Sequence, residues 1–253
     1  MNAYFSVGST IVLLLSALKR NGTTRIELAA YEPHVMNMID VLRDTGADIS
    51  LRYDHTIIIK PKELKKHLSG TVIGDYIVSG TLAIIGALTS KEYIDIHDAR
   101  VEDLSAFLHS IEKMGVKFEI KSEDTLRVYR SKNLKATNIQ TNIYPGFPTD
   151  LQSPTAILMS QAEGVSRIHE VLFEGRLNWL VELEMMRGHV ALMNPHEAMI
   201  FGKTPLCGAK VSSWDLRSGA AMLIAGMIAS GTTELDNVSH IERGYEDFVE
   251  RLQ

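Results

Sequence analysis

A carboxylate and three arginines stand in short segments whose composition can do chemistry. Asp150 closes Pro-Gly-Phe-Pro-Thr-Asp (145–150), just before a run of apolar and small residues. At such a place an aspartate caps a helix, its oxygen accepting from a free backbone N–H. In a loop stiffened by proline and glycine the same side chain is also a suitable general base. Asp215 in Ser-Ser-Trp-Asp-Leu-Arg-Ser (212–218) reads the same two ways, the cap being the simpler role. Arg217 is harder to account for as a surface residue. A cation in the first turn of a helix opposes the dipole and costs up to about 1 kcal/mol unless an anion compensates. Arg176 in Phe-Glu-Gly-Arg-Leu and Arg243 in His-Ile-Glu-Arg-Gly-Tyr-Glu stand near the starts of further helices. Three guanidinium groups in matching loops point to a polyanionic ligand, because their forked donors fit phosphate and carboxylate oxygens.

The other tempting residues read as structure. Cys207 in Thr-Pro-Leu-Cys-Gly-Ala-Lys has no histidine close by in sequence and reads as a small buried hydrophobe. The 9 histidines show no metal-ligand spacing, so no metal site is assigned, and no cofactor is expected. The 11 methionines fall on helix faces as core filler. Lys-Pro-Lys-Glu-Leu-Lys-Lys-His (60–67) is a solvated basic run rather than a nucleic-acid patch. Composition agrees. A net charge of −5 over 253 residues excludes a nucleic-acid coat, and 45% hydrophobic with 23% charged residues excludes disorder. A single cysteine excludes a disulfide framework. No apolar run reaches the roughly 20 residues a bilayer demands. The first residues lack the basic-then-apolar order of a signal peptide, so no membrane association and a cytoplasmic location are expected.

These loops belong to a repeat. Four helix-length runs are apolar or small on every side: 9–20, 79–90, 153–164 and 218–231. Each ends at a turn, at Gly22, Ser90, Gly164 and Gly231, with a period of roughly 70 residues, and a short strand follows. Then comes an amphipathic helix, marked by Val35, Met38, Ile39 and Leu42 in the first unit and Val101, Leu104, Leu108 and Ile111 in the second. Leu177, Leu180 and Val181 mark it in the third, and Tyr245, Phe248 and Leu252 in the fourth. Two more strands close each unit. A helix without a polar face must be buried all round, so the first helices belong inside and the sheets outside. The loops entering these helices (4–9, 72–79, 144–151 and 212–218) then gather at one end, where free N–H groups and helix dipoles favour anions.

A further strand leads into each inner helix, starting near Leu64, Leu134 and Leu206 in the later units; the same spacing leaves the first unit starting inside its lead-in strand and the fourth without its last two strands. The expected fold class is therefore α/β, built of repeated βαβαββ units, incomplete at both ends. The first inner helix, lacking sister units, is expected to show apolar surface and to promote association.

Tyr-Pro-Gly-Phe-Pro-Thr-Asp-Leu-Gln (144–152), Phe-Glu-Gly-Arg-Leu-Asn-Trp-Leu-Val-Glu-Leu (173–183), the stretch 212–247 and Phe-Ser-Val-Gly-Ser-Thr (5–10) carry a resemblance that spans the chain in order. The sequence resembles the C-terminal portion of the UDP-N-acetylglucosamine enolpyruvyl transferase (1-carboxyvinyltransferase) family. The resemblance implies an inside-out α/β barrel fold. Residues 1–72 would be the last unit of the first domain and 73–253 most of the second, with the active site in the cleft between. It implies transfer of the enolpyruvyl group of phosphoenolpyruvate to the 3′-hydroxyl of UDP-N-acetylglucosamine, which opens peptidoglycan synthesis.

By the same resemblance Asp150 contacts that hydroxyl and takes its proton. Ser6, Val7 and Gly8 line the UDP-sugar side, and Leu172 offers it a backbone contact. Arg217 and Arg243 hold phosphoenolpyruvate, Arg176 is a third essential arginine, and Asp215 lies beside them. The family's N-terminal part has no counterpart here. It carries a Lys-Asn pair, a further arginine and a cysteine general acid that Cys207 does not match. Gly175 stands where the family usually has asparagine, and residues 4–5 are Tyr-Phe rather than a basic-led pair. The expectation is an inactive chain when alone, with a separate chain carrying the missing portion as its partner. The alternatives are a non-catalytic nucleotide-sugar-binding module, a degenerate fragment, or a shikimate-type enolpyruvyl transferase.

Overall fold

A computed structural model describes residues 1–251, and the chain divides into two compact units, Met1–Gly74 and Asp75–Gln253. The division falls two residues after the boundary drawn from sequence at 72/73.

In the first unit α1 (Val7–Ala17) leads to β1 (Thr24–Ile26), α2 (Pro33–Asp44), β2 (Asp48–Arg52) and β3 (Thr56–Lys60). The sheet order is β1-β3-β2, all antiparallel. Proline at the first position of α2 suits a helix start, since its missing N–H would have no partner there. The buried stripe of α2, Val35, Ile39 and Leu42, packs with Leu14, Ile26, Ile57 and Ile59 into one small core.

The second unit starts with α3 (Tyr76–Thr89), β4 (Tyr93–Ile96), α4 (Ser105–Lys113), β5 (Phe118–Ser122) and β6 (Thr125–Tyr129). It continues through β7 (Asn138–Gln140), α5 (Gln152–Ser160), β8 (Gly164–His169), α6 (Leu180–Met185), β9 (His189–Asn194) and β10 (Glu197–Gly202). It closes with β11 (Lys210–Ser212), α7 (Leu216–Ile228), β12 (Glu234–Asp236), α8 (Ser239–Glu242) and α9 (Phe248–Arg251). Its sheets run β4-β6-β5, β7-β8-β10-β9 and β11-β12. The β1-β3-β2 order thus recurs as β4-β6-β5 and as β8-β10-β9. The lead-in strands β7 and β11 add parallel to β8 and β12.

Helices α3, α5 and α7 pack against one another, and each also lies on its own strands: α3 on β4 and β6, α5 on β8 and β10, α7 on β11. Every residue of α5 is buried. A sequence apolar on all sides has found cover on all sides, at about 1.5–3 kcal/mol for each large side chain removed from water.

Several local expectations are corrected. Helix α1 is not among the most buried elements: only Thr10, Leu14 and Ala17 are buried, and Val12 and Leu15 are 63% and 47% exposed. Within its own unit it packs on β1 and α2. Around Leu64 no lead-in strand forms; residues 61–75 have no regular structure. In the third unit Leu177 is buried in turns before α6, and Val181 is 41% exposed rather than in the stripe. The fourth amphipathic helix is broken into α8 and α9, with Gly244 and Tyr245 between them. Leu252 lies outside the described residues. Among the described residues no helix is long and apolar enough to cross a membrane.

Candidate functional site

In the second unit the N-termini of the inner helices α3, α5 and α7 come together. Asp75 caps α3, its Oδ1 accepting from the Ile77 N–H at 2.8 Å. Asp215 caps α7, accepting from the N–H groups of Arg217 and Ser218, while the Ser218 hydroxyl accepts from the Asp215 N–H. That reciprocal pairing is a capping box, so the simpler reading of Asp215 is the observed one.

Asp150 does not cap. No side-chain cap bond forms at the 3-10 turn Thr149–Leu151 or at α5. Instead its carboxylate lies between two guanidinium groups: Arg176 Nη2 donates to Oδ1 at 2.5 Å and Arg217 Nε to Oδ2 at 3.2 Å. Burial pushes the Asp150 carboxyl up, but Arg176 and Arg217 outweigh it and hold the pKa below the ordinary aspartate value. The group is an anion at neutral pH. Two glycines make this placement possible. Leu151 packs into the space a side chain on Gly80 of α3 would fill, its Cδ1 only 2.5 Å from that Cβ position. Gly175 has φ +72°, a left-handed conformation easy for glycine and accessible to asparagine, and turns the chain so that Arg176 faces Asp150.

Arg217 enters from the first turn of α7 with 11% of its side chain exposed. Its Cζ lies 5.2 Å from the centre of the Tyr245 ring, whose hydroxyl is 2.9 Å from Thr81 Oγ1 of α3. Burial opposes its charge, yet the net effect of its surroundings, the Asp150 carboxylate among them, holds its pKa above the ordinary arginine value. Its Nη1 is buried without a hydrogen-bond partner among the described residues. An unmet charged donor of this kind costs about 1–3 kcal/mol or more. An anion's oxygen would relieve it.

Arg243 is not brought into this cluster. It ends α8 rather than starting a helix, because the chain breaks at Gly244, and it is exposed with no ion pair among the described residues. Leu172 lies in the turn after β8, 37% exposed, its N–H donating to Glu170 Oε1 at 2.9 Å. Ser6, Val7 and Gly8 belong to the first unit, where Ser6 caps α1 through a 3.3 Å bond from the Ser9 N–H and a side chain on Gly8 would meet open space. Cys207 pairs through its backbone with Ser230, beyond the far end of α7 and about 20 Å from Arg217 by helix rise.

Three participants went unread in the sequence: Thr149, Tyr245 as an arginine partner, and Glu170. Thr149 Oγ1 accepts from Arg176 Nη1 at 2.8 Å and donates to Glu170 Oε2 at 2.5 Å. A signal for Glu170 existed. Ser166, Ile168 and Glu170 alternate on the buried face of β8 and its extension, so strand periodicity places an acid in the interior.

The comparisons with known proteins follow the same outline. A family model described as EPSP synthase (3-phosphoshikimate 1-carboxyvinyltransferase) matches residues 2–252. The chain is 40% identical over 248 residues to a UDP-N-acetylglucosamine 1-carboxyvinyltransferase of Streptococcus pneumoniae, and 39% identical over 250 residues to one of Listeria monocytogenes. Both alignments cover 98% of this chain but 58% of the relative, so the chain spans little more than half the length of these proteins. Among solved structures, the enolpyruvyl transferase NikO from Streptomyces tendae superposes with a TM-score of 0.89 at 29% identity, over 97% of this chain and 58% of that one. An EPSP synthase from Acinetobacter baumannii shares the fold, with a TM-score of 0.70 at 19% identity over 97% of this chain and 59% of that one. On this match across almost its whole length, the chain belongs to the EPSP synthase, or enolpyruvyl transferase, family.

Proposed function

We propose that this chain serves the transfer of the enolpyruvyl group from phosphoenolpyruvate to the 3′-hydroxyl of UDP-N-acetylglucosamine, the first committed step of peptidoglycan synthesis. The observation that carries this reading is the Asp150 carboxylate held between Arg176 and Arg217, with a buried donor of Arg217 unmet. The two relatives near 40% identity are named for that acceptor, which favours it over 3-phosphoshikimate. In the larger frame, the repeated strand order and the interior helices are read as part of an inside-out barrel. Met1–Gly74 is read as the last unit of one domain and Asp75–Gln253 as most of the next.

In the reaction, the sugar hydroxyl oxygen bonds to C2 of phosphoenolpyruvate as the methylene carbon takes a proton, the hydroxyl proton passes to Asp150, and loss of a proton from the resulting methyl group re-forms the double bond as the C2–O bond to phosphate breaks. Arg217 supplies its unmet Nη1 to the anion, and Arg176 a second fork of donors. Arg243, exposed and without an ion pair among the described residues, joins when the anion arrives. Asp215 fixes the first turn of α7 and so the position of Arg217. On the acceptor side, Ser6, Val7 and Gly8 and the backbone of Leu172 contact the nucleotide sugar. Protonation of the methylene carbon is assigned to none of these residues.

There is a tension in the site that the ligand resolves. Two cations lower the basicity of Asp150, which suits an ion pair and not a base. An anion that draws the guanidiniums away and adds negative charge of its own raises that pKa, so the base becomes competent when its co-substrate is present.

Calorimetric titration tests the reading. Phosphoenolpyruvate is expected to bind the wild-type chain and to bind the Arg217→Ala variant at least about tenfold more weakly, the loss of one charged hydrogen bond. UDP-N-acetylglucosamine is expected to bind in preference to shikimate 3-phosphate. Absence of phosphoenolpyruvate binding, or binding indifferent to Arg217, overturns the proposal; a preference for shikimate 3-phosphate reassigns the acceptor.

A further inference from the structure

Glu170 follows β8 and is fully buried, yet no lysine or arginine among the described residues pairs with it. Burying an ionised carboxylate is costly unless hydrogen bonds replace its water. Four do. Oε1 accepts from Thr141 Oγ1 at 2.9 Å, from the Leu172 N–H at 2.9 Å and from the Phe173 N–H at 3.2 Å. Oε2 accepts from Thr149 Oγ1 at 2.5 Å. One carboxylate thus ties the lead-in segment after β7, the turn 171–173, and the loop that ends in Asp150.

The direction of these bonds matters. Thr149 has one hydroxyl proton, and Glu170 takes it. Its lone pairs therefore face away from Glu170, where Arg176 Nη1 donates to them at 2.8 Å. The other end of the same guanidinium donates to Asp150. Charge at Glu170 so fixes the polarity of the chain Arg176 to Thr149 to Glu170, and with it the plane of the guanidinium that holds Asp150.

We infer that Glu170 is a positioning residue for the reaction proposed above: acting through Thr149, its buried carboxylate orients Arg176 toward Asp150 and the anionic co-substrate. Its touch on Leu172 makes the same carboxylate a brace for the turn proposed to meet the nucleotide sugar. The inference rests on that proposed function for its consequence in binding, and on the hydrogen-bond geometry alone for its consequence on Arg176.

Glu170→Gln separates orientation from bracing. The amide oxygen can keep accepting from Leu172, Phe173 and Thr141, while the NH2 meets Thr149. Thr149 must then accept from the amide, and its proton turns toward Arg176, where it opposes the guanidinium. Thr149→Val removes the relay while keeping the Glu170 side chain and its three bonds at Oε1, at the cost of the bond to Oε2, and Thr149→Ser restores the hydroxyl.

The first readout needs no ligand: the guanidinium 15N signals of Arg176 in the free protein. In the wild type the two Nη groups, held by Thr149 and Asp150, are expected to be resolved through slow rotation. They are expected to merge in Glu170→Gln and in Thr149→Val, and to separate again in Thr149→Ser. The second readout is calorimetric: phosphoenolpyruvate affinity falls about tenfold in either loss variant, the equivalent of one charged hydrogen bond, and the double variant loses no more than the singles.

Resolved Arg176 signals in both loss variants overturn the inference, whatever the affinities. If Glu170→Gln does not fold, unchanged Arg176 signals in Thr149→Val overturn it alone. Merged signals with no phosphoenolpyruvate binding even in the wild type leave the orientation standing and overturn the proposed function instead.

Discussion

Helix α1 and the trio α3, α5 and α7 start from the same kind of sequence and end in different surroundings. Each is apolar or small all round. In the second unit the three helices cover one another and lie on their own strands, so Ile84, Leu158 and Met222 are fully buried. In the first unit α1 packs on β1 and α2, and Val12 and Leu15 stay in water. The same contrast holds at the helix starts. Asp215 caps with two short bonds and a reciprocal serine, and the loops beside it assemble an ion-paired cluster. Ser6 caps α1 with one bond at 3.3 Å. An all-apolar helix is thus a demand for neighbours, and where three such helices meet that demand together their N-termini make a site.

The largest effect expected from this contrast is in the core. Ile84→Ala in α3 should cost about 2–5 kcal/mol, and Val12→Ala in α1 no more than about 0.5 kcal/mol. Urea unfolding of the two variants checks this; equal losses would break the distinction between the helices.

Next comes the Asp150 pair. Removing one partner of a buried ion pair is costly because the other charge is left uncompensated, but Asp150 keeps 35% of its side chain exposed, so water moderates the loss. Its pKa is lowered on folding, so the stability it supplies is complete above the unfolded value, 3.8, and is lost as pH falls through the lower folded value. Wild type should therefore exceed Asp150→Asn in stability at neutral pH, and the gap should close below about pH 4. A gap independent of pH between 7 and 2 argues against the ion pairs.

Smaller still is the capping difference. Asp215→Ala should cost about 0.5–2 kcal/mol and Ser6→Ala should sit at or below the bottom of that range. Thermal unfolding ranks them; the reverse order would show that α1 depends on its start more than α7 does. The smallest effect is on the surface. The double variant Val12→Ser, Leu15→Gln should leave unfolding almost unchanged while lowering the binding of an apolar dye and self-association at high concentration. Dye binding that survives the substitutions places the apolar surface elsewhere.

What was legible in the sequence was what local pattern encodes. Period and turn spacing located the inner helices and the strands that follow them, because a run without a polar face and a glycine at a turn are written into neighbouring residues. Asp215 was legible for the same reason, since a cap is a local arrangement. Asp150 was not. Its motif is equally good for a cap, and the ion pairs with Arg176 and Arg217, 26 and 67 residues away in the chain, are not written into the neighbouring residues. For Arg243 only the local placement differs from expectation: the Ile-Glu-Arg-Gly-Tyr pattern looks like a helix start, whereas Arg243 follows the end of α8. The missing strand near Leu64 and the broken fourth helix are tertiary outcomes that no local period records. Glu170 was legible in principle, in phase with the buried face of β8, but a charged residue is conventionally assigned outward and was passed over.

The central claim is that Asp150 is held as an anion by two guanidiniums that an anionic co-substrate can take over. Its most direct test is the carboxyl 13C titration of Asp150, without and with saturating phosphoenolpyruvate. The account predicts a midpoint below the ordinary aspartate value in the free protein and an upward shift once the ligand is bound. A free-protein midpoint at the ordinary value, or one that does not move although phosphoenolpyruvate has bound, would contradict it.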